Sequence, residues 1–169
     1  MVSRLFDRRA VLAGLGAVTL LPGQARARDY VDLGWSDLLP KDTPFVPNAI
    51  RGMIDHSGPA LSSQQPPSTG VRSDWNGQNV RMPGFIVPID HKGTGVVAFI
   101  LVPYVGACVH VPPPPANQLV FVTTGTPYES DGLFEPVTVE GMFSTSTITT
   151  HLAKVGYALS ADRITPFTT

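Results

Sequence analysis

The chain reads as a mainly β protein: a small five-stranded OB-like barrel with one short helix and an N-terminal extended arm. Three observations lead there. Beyond residue 74, five apolar stretches of strand length are separated by turns rich in Gly, Pro and Ser. Several of them alternate apolar and polar residues, the period of a half-buried strand. The first and longest carries Pro83-Gly84 midway, and a glycine there is how a barrel strand bends from one sheet into the next.

In chain order, the first element is a leader. Arg4, Arg8 and Arg9 precede an apolar run from Ala10 to Leu21, and Ala25-Arg26-Ala27 supplies a small-x-small cleavage site. Twelve apolar residues are too few for a permanent transmembrane helix, which needs about 20. Arg8-Arg9 before the apolar run has the twin-arginine form, with a general secretory signal as the alternative. No cysteine follows the run, which excludes a bacterial lipid anchor, so residues 1–27 are read as a signal peptide and the remainder as a periplasmic protein without stable membrane insertion.

Residues 28–73 form the arm and a flexible loop. Val31 to Pro40 is a short turn of helix or an extended segment, with Trp35, Leu38 and Leu39 spaced to dock on the body. Residues 55–73 are rich in Ser, Pro, Gly and Gln and read as loop. The barrel domain is 74–169. Asn79 to Pro88 is its bent first strand, His91 to Gly95 a turn, and Val96 to Val102 a central strand, being almost wholly apolar. Gln118 to Thr123, Val137 to Met142 and Tyr157 to Pro166 complete the five. Thr145 to Lys154 is read as the short helix, which falls after the fourth strand where an OB barrel places it after the third.

Composition excludes some functions. Removing Arg4, Arg8, Arg9, Arg26 and Asp7 leaves 8 basic and 12 acidic residues, a net charge of −4. An acidic exported chain has no electrostatic case for nucleic acid or anionic lipid. No Gly-x-Ser-x-Gly, Cys-x-x-Cys or His-Glu-x-x-His string and no phosphate-cradling glycine loop occurs, so catalysis is the weaker reading.

The chemistry concentrates in Gly106 to Pro115, which holds Cys108, the single cysteine of the 169 residues, then His110 and four consecutive prolines. On a strand, Cys108 and His110 would project from one face, roughly 6–7 Å apart. That pair reads as two ligands for Zn²⁺ or another thiophilic cation. Three alternatives stand beside it: Cys108 as a small buried residue with His110 bonded to backbone, a non-catalytic docking corner, and a thiol with a neighbouring base. His56 in the loop is a weaker third ligand and His91 weaker still, reading first as a solvated turn histidine. His151 reads as a surface residue, Tyr104 and Trp75 as packing. The prolines fix φ and lack donors, so the chain leaves as a stiff polyproline II arm.

These residues also carry a resemblance. Asn79 to Pro88, Phe99 to Val111 with the prolines and Asn117-Gln118, then Pro136 to Gly141 and Gly156 to Leu159, resemble an exported bacterial family, domain-of-unknown-function family 3299. Some of its members are encoded beside ABC-transporter parts in zinc-responsive operons. The resemblance therefore implies metal handling, with partners at the periplasmic face of an ABC transporter or its binding protein.

Overall fold

The computed structural model describes residues 29–41, 64–109 and 112–167. The leader, His56, most of the loop around it, and His110 lie outside them. Six strands follow in order: β1 (Val31–Asp32), β2 (Asn79–Lys92), β3 (Gly95–Val102), β4 (Val120–Tyr128), β5 (Pro136–Thr149) and β6 (Lys154–Pro166). The five long ones close into a barrel in the order β2-β3-β4-β6-β5 and back to β2, and β1 adds a short parallel edge on β2. Only the β4–β6 contact within the barrel is parallel among the described strands. This is the strand order of an OB barrel, as the sequence predicts.

Closure depends on the bend in β2. Its first half, Asn79 to Phe85, pairs with β5, and its second half, from Phe85 onward, pairs with β3. Gly84 stands at the switch. A Cβ there would lie 2.7 Å from Leu101 Cγ and 3.0 Å from Trp35 Cζ2, closer than side chains tolerate. A second close approach occurs at the register shift between Glu140 and Gly141, where a Cβ on Gly141 would run into the backbone of Ser160 and Ala161.

The predicted helix over 145–154 is not formed. That segment is the end of β5, a turn at 150–153 and the start of β6, with Ile148 paired to Val155. Its run of Thr and Ile is β-branched, and such side chains sit more easily on a pleated strand than on a helix. Helix among the described elements is limited to two 3-10 turns, Trp35–Leu38 and Ala116–Gln118. The strands also run longer than the alternation alone marks. β2 continues to Lys92, which shrinks the predicted His91–Gly95 turn to Gly93-Thr94.

The barrel interior is apolar, built on Val80, Met82, Ile86, Phe99, Leu101, Val120, Val122, Val137, Val139, Phe143, Tyr157 and Leu159. Leu33 and Leu38 from the arm belong to the same cluster, and Leu38 is fully buried. The 3-10 turn Trp35–Leu38 therefore stops one end of the barrel. Trp35 Nε1 donates to Pro83 O at 2.9 Å, and the Tyr157 hydroxyl donates to Leu38 O at 2.8 Å while accepting from Arg72 N at 2.7 Å. At the start of the arm, Asp32 is held by Arg81 of β2 at 3.2 Å, and Arg81 also reaches Glu140 at 2.7 Å, tying β1 to β5 across β2.

Candidate functional site: the Cys108 corner

β2, β3 and β4 bury side chains on both faces. Phe99 and Leu101 point into the barrel, while Ile100 and Val102 point outward, joined by Val87 of β2, Leu119 just ahead of β4, and Val155 and Ala153. That explains why Val96 to Val102 is apolar almost throughout. The outward layer is covered by the chain's own β3–β4 connection, whose Ala107 and Cys108 complete this second cluster. Strands β3 and β4 are the ones whose outer face carries ligands in many OB barrels. Here that face is occupied from within.

The corner is a turn, not a strand. Gly106 has φ 94° and Cys108 φ 66°, and Val109 N bonds back to Gly106 O at 3.4 Å. Cys108 thus adopts the left-handed backbone that non-glycine residues seldom take. The two-residue alternation that would align Cys108 with His110 does not hold through such a turn, and His110 lies outside the described residues. Cys108 is 3% exposed, and burial among aliphatic groups pushes its thiol up to about 12. At neutral pH it is a protonated, packed thiol, neither a ready nucleophile nor a preformed anionic ligand.

Of the remaining sequence-marked histidines, His91 and His151 are described, and both are exposed. His91 is exposed near the end of β2, its backbone N–H bonded to Asp90 Oδ1 at 2.9 Å. Among the described residues, no three His, Cys, Asp or Glu side chains are grouped so as to hold a metal ion. The described residues therefore do not present a preformed zinc site, and His56 and His110 are not among them. Trp75 packs against the barrel core beneath the Arg72 guanidinium, which sits 4.6 Å from its ring, and Tyr104 packs against the Cys108 cluster.

Polar groups around the corner fix its exit. Pro115 has φ −52° and ψ 151°, and Pro113 and Pro114 are buried, so these prolines lie against the body where the sequence predicts an arm leaving it. Gln65 works as a strand substitute: its Nε2 donates to Pro114 O at 2.8 Å and Lys154 O at 2.7 Å, and its Oε1 accepts from Lys154 N at 2.8 Å. Asn117 Nδ2 donates to Thr69 Oγ1 and Gly70 O, and Gln118 Nε2 to Trp35 O. Those two buried amides explain why Asn117-Gln118 follows the prolines. They hold the arm and the 65–70 segment to the base of the corner. What the sequence did not reveal is the tip. Val105 is 61% exposed beside the buried Gly106-Ala107-Cys108. A lone valine carries no signal of its own; only the fold shows which residue of the turn faces out.

Comparison with known proteins agrees with this architecture. The profile of the family described as protein of unknown function (DUF3299) matches residues 35–166. A crystal structure of a DUF3299 family protein from Pseudomonas aeruginosa PAO1 is similar, with a TM-score of 0.72 and 37% identity, covering 83% of this chain and 98% of that one. No curated protein matches the chain.

Proposed function

The chain belongs to the DUF3299 family, and on that footing we propose that it is a non-catalytic interaction module that docks on a periplasmic transporter subunit or its binding protein through the Cys108 corner. The observation that carries this reading is the build of the corner. A turn strained at Cys108 is backed by an apolar cluster on the barrel, braced by buried prolines and amides, and ends in an exposed aliphatic side chain, Val105. A rigid, apolar-backed knob loses little conformational entropy on docking. A single exposed valine is ordinary in itself; its place at the tip of a braced turn gives it meaning.

The zinc reading competes through Cys108 and His110, and one experiment separates the two. A photo-reactive amino acid is placed at Val105 in cells exporting the protein, with the same group at Leu133, which is 47% exposed in the β4–β5 connection, as control. Docking predicts a discrete product with a transport protein from position 105 and none from 133. Elemental analysis of the same purified chain, with Cys108→Ala beside it, gives the metal answer. About one zinc per chain that disappears in Cys108→Ala, with no product from position 105, would overturn docking in favour of metal handling.

A further inference from the structure

The corner does not account for every opening among the described residues. A cleft of about 580 Å³ lies between the 65–68 segment, Ala116 and the turn joining β5 to β6. Its size falls in the range of small-molecule sites, roughly 300–1,000 Å³. Pro66, Pro67 and Ala153 give it an apolar wall, and Ala153 also belongs to the Cys108 cluster, so that wall is backed by packed core.

The polar lining is one-sided. The Gln65 amide is spent on Pro114 and Lys154 backbone, and Thr150 Oγ1 on the turn that it closes, where it accepts from Leu152 N and Ala153 N and donates to Ala153 O. Ser68 Oγ is spent on Gly70. What is left facing the cleft is the Thr149 hydroxyl and two ionisable groups, His151 and Lys154; all three residues are exposed, and none of these side chains is engaged by a partner among the described residues. No carboxylate is among its described lining residues. In a chain with more acidic than basic residues, a cleft whose described lining offers Lys and His but no acid favours negative charge.

We propose that this cleft is a binding site for a small carboxylate with an apolar body. The carboxylate meets Lys154 and His151, and the carbon chain lies on Pro66, Pro67 and Ala153. This site lies apart from the Val105 tip and stands whether or not the corner docks.

Pentanoate is the probe, titrated at constant ionic strength into the isotope-labelled chain and read by amide and imidazole NMR shifts. Inorganic phosphate and neutral propanol are run alongside. A saturable shift confined to 65–68 and 149–154, weakened about tenfold by Lys154→Gln, is the expected result. Phosphate should bind more weakly, since it has nothing to lay on the prolines. Lys154 contributes its backbone to β6 and its side chain to solvent, so Lys154→Gln keeps the fold, and an unchanged spectrum away from the cleft checks that. Shifts that never saturate, that are equal for pentanoate and either phosphate or propanol, or that persist unchanged in Lys154→Gln would overturn the proposal.

Discussion

Cys108 combines three properties rarely found in one residue: burial, a left-handed backbone and a thiol held protonated. The first and third make a chemical prediction. In the native chain, iodoacetamide should modify Cys108 far more slowly than a free thiol at pH 8, and normally once the chain is unfolded; labelling followed by mass spectrometry checks this. The pH dependence has a definite sign. Because the folded thiol is raised from its ordinary 9.0 to about 12, its contribution to stability is fully present below about pH 9 and is lost as pH rises from there through the folded value. Tyr128 and Tyr157 are also held up by burial. The difference between wild type and Cys108→Ala in alkaline melts isolates the thiol's share, and it should shrink as pH rises. At neutral pH, Cys108→Ser should cost about 1–3 kcal/mol, because it buries a hydroxyl with no assured partner. The residue's chemistry was visible in the sequence and its conformation was not. Residue type says little about a positive φ outside glycine, so the strand alternation carried through Cys108 to His110 ended at the turn.

Among the elements, strands were legible wherever one face is wet. The first half of β2, Asn79 to Phe85, and Val137 to Met142 alternate because there the strands pack one side on the barrel interior. Legibility failed at 145–154, where partial exposure on both sides of a hairpin leaves a mixed Thr, Ser and Ile pattern with no clear period. The arm illustrates the opposite case: Trp35, Leu38 and Leu39 announced docking, and the fold shows that the dock is the barrel core. Leu38→Ala should therefore behave as a core truncation, costing about 2–5 kcal/mol, although it lies more than 40 residues ahead of the first long strand. Thermal melts check this, and a loss under about 0.5 kcal/mol, the level of a surface change, would mean that the arm only rests on the barrel.

For the whole molecule, the expected route is export and processing. Mature material recovered from the periplasm should begin near Arg28 by mass spectrometry, and replacing Arg8 and Arg9 with Lys should block export if the twin-arginine route is used. Normal export of the double-lysine chain would assign it to the general secretory route. The barrel's stopper also bears on how long the folded chain lasts. The Tyr157–Leu38 bond joins residues 119 apart in sequence, and β2 must pair with both β3 and β5 before there is a barrel end to stop. Non-local closures of this kind set a slow folding step, and the arm can seat only after it. Contacts made after the rate-limiting step do not hasten folding; they slow the reverse reaction. The arm is thus a latch on lifetime, and its loss would show in the rate of unfolding while the rate of folding stayed nearly the same.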